Sequence, residues 1–395
     1  MAFFDPTRPA YLANPYPALE ALRRQEPVHW SANLRAWVLT RYDDCAQALH
    51  DGTRFTSDPA RTTGPRAEAI LAHRRSMPLG ETGTLGTTSG EEHRRIRQVV
   101  NPIFSPAAVR EFFPVIEAEV EALMPAISTG EPCEFMAAFA NGLPRRVMDH
   151  VMGLSHDQAE RLQPLLATIE VTRSNPRAGS QELSAAAISQ ARASLDQLAS
   201  EGLPPNTVLG TLAQAHKSSL SSDEALSIAA HIATVGADPT SGALGNAVAA
   251  LAGNPAALET LRSNPSLLRG ALHEFLRYDS PTHIAPRFAT TGTEMGGRRV
   301  RQGDAVLAVV GAANRDPAAF NNPDELDVTR DARKQFAFGQ GEHVCLGMHV
   351  ALAIMEAALG AIIAAFRSIE LLRPPVYGGS IELRIPDQVV VRFSP

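Results

Sequence analysis

Cys345 closes a glycine-rich run, Phe338-Gly339-Gln340-Gly341-Glu342-His343-Val344-Cys345-Leu346-Gly347, fifty residues before the C-terminus. Beyond it, Leu346, Val350, Leu352, Ala353, Met355, Ala358, Ile362, Ile363 and Phe366 recur at helical spacing, which predicts a buried helix with the cysteine at its N-terminal end. A thiol there meets the positive end of the helix dipole and unpaired backbone N–H groups, and both favour the thiolate. Such a thiolate is a nucleophile or a metal ligand. Gly347 leaves room for a flat group to approach, and Phe338 can shield the sulfur. A lone cysteine in an apolar run is more often an inert core residue; the full spacing F-x-x-G-x-x-x-C-x-G favours the chemical reading.

Other residues could serve the same site. Ser89-Gly90-Glu91-Glu92 has the form of a capping box, opening a helix that puts His93 and Arg97 on one face. By themselves they are equally a solvated basic face, as expected of Arg94 and Arg95. Glu274 and Arg277, three apart on an apolar helix, are ordinarily a weak surface pair. Pro286-Arg287 lies in an extended stretch. Ser221-Ser222-Asp223-Glu224 is a second capping box, opening the longest predicted helix, through about Ala252. Some thirty residues there would span about 45 Å, enough to cross the molecule. Its middle holds His231, Thr234, Val235, Gly236, Asp238, Pro239 and Thr240. Asp238 has the look of a buried acid, and proline there predicts a kink.

At the cysteine loop the chain resembles the cytochrome P-450 family, and the other motifs follow in that family's order over almost the whole length. The resemblance implies a mainly α fold with a small β-rich region (α+β): a triangular helical prism with a long central helix over a haem. It implies one domain over 1–395, against the two or three that 395 residues alone would suggest. The implied cofactor is haem b, with Cys345 as the thiolate ligand of its iron, a mode of ligation known for this family. Phe338, His343 and Gly347 are implied contacts of the haem, and His93, Arg97 and Arg287 of its propionates. Arginine suits that task because it stays charged and grips a carboxylate with two donors. Glu274 and Arg277 become a buried structural ion pair, with Arg330 expected as its third member and Arg315 as second choice.

The implied reaction is monooxygenation: one atom of dioxygen goes into a small-to-medium hydrophobic substrate, by hydroxylation or O-dealkylation. Electrons are expected from a ferredoxin and its NAD(P)H-dependent reductase, docking near Arg94, Arg95, Arg333 and Lys334. The family usually places an acid followed by threonine in the long helix to deliver protons. Here Asp238 matches the acid, but Pro239 stands where the alcohol belongs. Thr240 sits about 100° further round a regular helix, so it should point elsewhere unless the kink turns it. Implied substrate-lining residues are Leu85, His231, Thr234, Val235, Thr282, Ile284 and Ile385. His231 could equally be a satisfied core histidine. Two other activities stay open, a hydrogen-peroxide-driven peroxygenase and a haem sensor without turnover.

Composition sets outer bounds. Hydrophobic content of 44% and a charged fraction of 20% are ordinary for a globular chain, and a net charge of −6 gives no reason to invoke nucleic acid or an anionic membrane. Cys45, Cys133 and Cys345 are odd in number and far apart, which fits a reducing, cytoplasmic setting. No secretion signal is visible, and the longest apolar stretch, 351–366, is interrupted by Glu356. A monomer is expected. Tyr16–Arg24 and Asp43–His50 read as helices, and Val28–Trp30, Ala36–Arg41 and Val300–Gly311 as strands. Residues 58–88 read as a long irregular connection, such as would cover a pocket. From Pro106 to Ser200 successive helices are expected, with breaks near Asn141–Pro144 and Asn175–Gly179. Ile381–Phe393 reads as a terminal hairpin around Pro386-Asp387.

Overall fold

The computed structural model describes residues 4–127, 130–174, 179–216, 219–378 and 380–395. Helices dominate. The largest hydrophobic cluster gathers apolar side chains from the helices Gly90–Val100, Pro106–Leu123, Gly142–Met152, His156–Ser174, Ser222–Val235, Asp238–Ala252, Leu268–Tyr278 and Met348–Ala365. Met348–Ala365 is long and apolar enough to cross a membrane. Here it is a core helix: Val350, Ile354, Met355, Ala358, Leu359, Ile362 and Ile363 are buried, packed against neighbouring helices by area-proportional apolar burial.

A five-stranded sheet forms the β-rich part. Its order is Val28–Ser31, Ala36–Leu39, Ala305–Val309, Ile284–Ala289 and Phe55–Thr56. The first two strands are an antiparallel hairpin, while Ala36–Leu39 and Ala305–Val309 run parallel, with Ala36 opposite Ala305. Ile284–Ala289 is antiparallel to Ala305–Val309, with Arg287 opposite Val306. This sheet matters to the site because it fixes which side chains of Ile284–Ala289 face inward.

Four sequence expectations need correction. The connection at 58–88 contains a helix, Pro65–Ser76. Its apolar residues do not segregate to one face, and only Ala67 is buried, so periodicity could not reveal it. Proline in its first turn and His73, Arg74 and Arg75 in its last were the readable signals. At the C-terminus, Pro386–Gln388 pairs with Val376–Tyr377, whereas Val390–Ser394 pairs with Pro132–Glu134 and Ser368–Leu371. Strands adjacent in sequence thus belong to different sheets, and no hairpin joins them. The break expected near Asn141–Pro144 falls at Asn141, between a stretch of π-helix over Met136–Ala140 and the helix Gly142–Met152. The interruption expected at Asn175–Gly179 lies, for residues 175–178, outside the described residues.

Another correction concerns the long helix. It is two helices, Ser222–Val235 and Asp238–Ala252, separated at Gly236-Ala237. The first starts in the capping box expected: Ser221 Oγ accepts from the Glu224 N–H at 3.1 Å and Glu224 accepts from the Ser221 N–H at 2.7 Å. The second has Pro239 in its first turn. Proline has no N–H to offer the carbonyl one turn back, so the ladder ends and restarts instead of bending. The other capping box does not form. Ser89 Oγ pairs with Thr56 Oγ1 at 3.0 Å, and the N–H of Gly90 donates to Glu342 at 3.1 Å. A distant carboxylate from the cysteine loop has replaced the local cap.

Candidate functional site

The cysteine loop is held by its own backbone. Gly339 and Gly341 adopt φ of 66° and 70°, the left-handed region that glycine enters without penalty. A Cβ on Gly341 would also come within 2.7 Å of the carbonyl oxygen of Leu49. The N–H of Cys345 donates to the Phe338 carbonyl at 2.8 Å, which closes the loop. The following helix begins at Met348, with Gly347 as its cap, so Cys345 stands just ahead of the first turn. The effect on the thiol differs from the expectation. Deep placement pushes the Cys345 thiol up, although its surface is open to a cavity. The N–H of Gly347, the charge of Arg97 and the N–H of Met348 pull the other way without overcoming it.

That cavity has a volume of about 380 Å³. Of the residues expected from sequence, Cys345, Phe338, His343, Gly347, Arg97, Arg287, Leu85, His231, Val235, Thr282 and Thr240 line it. Elements far apart in the chain therefore converge. Ile284 does not take part. It is buried in a separate apolar cluster with Leu19 and Leu22, while Ala285 and Arg287 line the cavity. Side chains alternate along a strand, so a strand aiming Arg287 inward must aim Ile284 outward; the two expectations were incompatible. Thr234 bonds its own helix, at 2.8 Å to the Ala230 carbonyl. Ile385 packs against Gly242, where a Cβ would meet it at 2.8 Å. Neither is part of the cavity wall.

The roof departs furthest from the sequence reading. Asp238 is not a buried acid: its side chain is 56% exposed and lies 3.7 Å from Arg145. Thr240 is buried and faces the cavity together with Pro239, Gly236 and Ala243. The break at Gly236-Ala237 has turned the second helix so that the acid points out and the alcohol points in.

Whether these residues suit a haem can be judged from their polar atoms. His93 is 2% exposed, and its Nε2 has no partner among the described residues. Its ring lies 4.6 Å from that of His343, centroid to centroid, and burial holds it below the ordinary histidine range. Arg287 is buried, and burial pulls its guanidinium down to about 10, opposed in part by Glu342. Its hydrogen bond is to the neighbouring carbonyl of Pro286, at 2.8 Å. Arg97 donates to the Glu342 carbonyl at 3.1 Å and to Asn101 at 3.2 Å. His343 bridges Ser57 at 2.9 Å and the Leu85 carbonyl at 3.3 Å. Two incompletely matched cations and an unpartnered imidazole nitrogen call for carboxylates, and a Cβ on Gly347 would meet nothing within 4 Å. A flat dianion with a metal for the thiolate fits this donor set.

A buried ionic network lies on the helix Leu268–Tyr278, whose Leu276 lines the cavity. Glu274 and Arg277 are 0% exposed and bonded through two parallel contacts of 2.6 and 2.8 Å. Arg330 reaches the same carboxylate at 3.2 Å, and Arg277 also donates to the carbonyls of Asn314, Pro323 and Glu325. Arg315 does not join; it bonds the Tyr278 carbonyl and Asp324 and stacks on Tyr16 at 3.6 Å. Sequence reasoning missed Glu170, whose carboxylate lies 3.0 Å from His231. Nothing local signals that pair, since its members are sixty-one residues apart.

A helical fold enclosing a cysteine-loop cavity with inward-facing arginines defines a haem-thiolate protein. The chain belongs to the cytochrome P450 family: the family profile described as "Cytochrome P450" matches residues 146–374. It is 31% identical over 402 residues to the epothilone C/D epoxidase of Sorangium cellulosum, covering 99% of this chain and 95% of that protein. It is 31% identical to the vitamin D(3) 25-hydroxylase of Pseudonocardia autotrophica, over 89% of this chain and 86% of the other. The crystal structure of epothilone D-bound cytochrome P450epoK superposes with a TM-score of 0.88 and 28% identity, over 99% of each chain. The fold is the P450 fold, the cofactor is haem b, and the chemistry is that of a monooxygenase.

Proposed function

We propose that residues 1–395 form one catalytic domain that inserts an oxygen atom into a small-to-medium hydrophobic substrate, by hydroxylation or O-dealkylation. The observation that carries this is the convergence on one cavity of Cys345, the cations Arg97 and Arg287, and the roof residue Thr240. When bound, the haem supplies activation of dioxygen and transfer of one oxygen atom. The rest falls to the chain. Cys345 would hold the iron from the loop, with Phe338 shielding the sulfur. Arg97, Arg287 and His93 would hold the carboxylates of the haem, through charge-assisted bonds that are short and strong. Leu85, Val235 and Thr282 shape the space for substrate and exclude water, which strengthens every electrostatic contact inside. Thr240, turned inward by the broken helix, holds or passes a proton in place of the alcohol missing at Pro239.

Electrons would come from a ferredoxin and an NAD(P)H-dependent reductase in the cytoplasm. The docking surface proposed from sequence must be narrowed. Arg95 is tied to Glu224 and, at 3.0 Å, to the Ser219 carbonyl. Arg94 and Arg333 pair with neighbouring acids but stay exposed. Lys334 lies over the ring of Phe320 at 4.8 Å. Arg94, Arg333 and Lys334 are the better candidates for meeting an acidic partner.

Pro239 favours a second reading, peroxide-driven turnover, because a proton relay is then not needed twice. The test compares product formation with NADH, ferredoxin and reductase against hydrogen peroxide alone. Turnover with the electron-transfer chain supports the monooxygenase. Turnover with peroxide alone makes it a peroxygenase, and a substrate-induced spectral shift without product in either assay would make it a sensor.

A further inference from the structure

His231 lines the cavity from the first half of the broken helix. Its Nδ1 lies 3.0 Å from Glu170 Oε1, with the two side chains only 16% and 12% exposed. The other oxygen of Glu170 is taken by Arg173, which also donates to Ser227 Oγ at 2.7 Å. The carboxylate is thus already matched by one full charge before the imidazole is counted. Arg74 adds a further positive charge, near enough for its own charge to be opposed by Arg173. Burial would raise Glu170, but the hydrogen bond from His231 and the Arg173 guanidinium outweigh it and hold its carboxyl below the usual range. An ionised carboxylate accepts, so Nδ1 carries the proton. The remaining nitrogen, Nε2, lies 3.5 Å from where a Cβ on Gly86 would be, and Gly86 also lines the cavity. With Nδ1 donating to Glu170, the neutral imidazole has its lone pair at Nε2, facing whatever occupies that space.

We propose that His231 selects a substrate carrying a hydroxyl group, accepting its proton at Nε2, with Glu170 as the positioning residue that fixes the tautomer. The proposal rests on the monooxygenase reading above and adds the substrate class. Most of the cavity wall around His231 is apolar: Leu85, Phe104, Met148, Ile232 and Val235. A site built to bond a hydroxyl rejects an analogue lacking it more strongly than an apolar pocket rejects a size change.

The test uses the full-length, haem-loaded chain and spectral titration with medium-chain 4-alkylphenols and the matching 4-alkylanisoles. The methyl ether keeps the oxygen and adds bulk but cannot donate. Wild type should bind the phenol at least about tenfold more tightly than the ether, the worth of one retained hydrogen bond. His231→Phe should bring that ratio close to one, and Glu170→Ala should reduce it several-fold. A merely structural pin between the two helices would weaken both ligands alike and leave the ratio unchanged. That result overturns the proposal, as does a wild-type ratio near one or a panel in which neither compound shifts the spectrum. The carbon monoxide band is read in every sample. Its absence from wild type would sink the haem-thiolate reading, and its absence only from His231→Phe moves the test to His231→Asn.

Discussion

The ionic network around Glu274 and the roof at Gly236–Thr240 differ in how many partners hold each side chain. In the network, Arg277 is fully buried and bonded to both oxygens of Glu274 and to three backbone carbonyls. Arg330 and the N–H of Asp327 complete the same carboxylate. In the roof, the hydroxyl of Thr240 has no bond to a described residue, Asp238 has one long contact with Arg145, and the backbone between the helices is interrupted. One region is over-determined and cannot adjust without losing charge compensation. The other carries Thr240, the group proposed to meet substrate and protons, and its geometry is set by a missing N–H.

The largest effect should come from the ligand itself. Cys345→Ala should abolish the absorbance near about 450 nm in the reduced, carbon monoxide-treated protein, and oxygen insertion with it. Persistence of that band would remove the basis for the whole assignment. Next is the ionic network. Glu274→Ala leaves the Arg277 guanidinium buried without its counter-ion, at a cost of about 3–5 kcal/mol. Arg330→Ala removes a bond to an ionised partner that keeps others, and should cost about 1–3 kcal/mol. Denaturant midpoints for the pair of variants measure the difference. Equal losses would mean that Arg330, not Arg277, carries the network.

Legibility in the sequence follows the same division. Cys345 could be read from the spacing of its loop, whereas Arg97 and Arg287 were placed at the site through the family resemblance. The Glu274–Arg277 pair could be placed only through the family resemblance, since spacing alone suggests a surface contact. What could not be read depends on contacts across the fold. Glu342 caps the Gly90 helix from 252 residues away, so the local Ser89 box was a false signal. Ile284 was misassigned although strand alternation, applied to Arg287, already forbade it. Proline in the long helix was read correctly as a disturbance, but whether it bends or breaks the helix depends on whether the freed groups find other partners. Here the second helix restarts at Asp238 with N–H groups of Thr240 and Ser241 bonded to the Ala237 carbonyl.

His283 follows Thr282 of the cavity wall and packs against Tyr11 and Tyr16. It is buried, with Nε2 3.1 Å from the hydroxyl of Tyr11 and Nδ1 unpartnered. Burial, aided by Arg384, brings its pKa down to about 4, with Asp279 opposing. The unfolded chain takes up this proton near the ordinary histidine value of about 6.5, so below that pH the unfolded state binds more protons than the folded one. Stability contributed by neutral His283 is therefore complete above about pH 6.5 and is lost as pH falls toward about 4, by about 3 kcal/mol in all. His283→Gln should flatten that part of the stability-against-pH curve. An unchanged curve would show that other groups carry the acid sensitivity.

In the roof the effects should be smaller and visible in chemistry more than in stability. Thr240→Ala removes the only alcohol that the broken helix aims inward, between Pro239 and Ala243. Coupling, measured as product per electron consumed, should fall several-fold while the carbon monoxide spectrum is unchanged, since a positioned proton donor is lost and the thiolate side is untouched. An unaltered ratio would remove Thr240 from proton delivery.

Asp238→Asn provides the contrast and should do least. Sequence alignment with the family's acid–alcohol pair would make this the more damaging change, because an acid there normally feeds protons to the site. The geometry reverses the ranking. The carboxylate is more than half exposed, and its partner Arg145 is 72% exposed at 3.7 Å, a pair worth about 0–1 kcal/mol. Coupling and stability should both stay near wild type. If instead Asp238→Asn uncouples the enzyme as strongly as Thr240→Ala, the helix must re-form across Gly236-Ala237 during turnover and swing the acid inward. The roof would then have two working arrangements, and the difference in determination between it and the ionic network would itself be part of the mechanism.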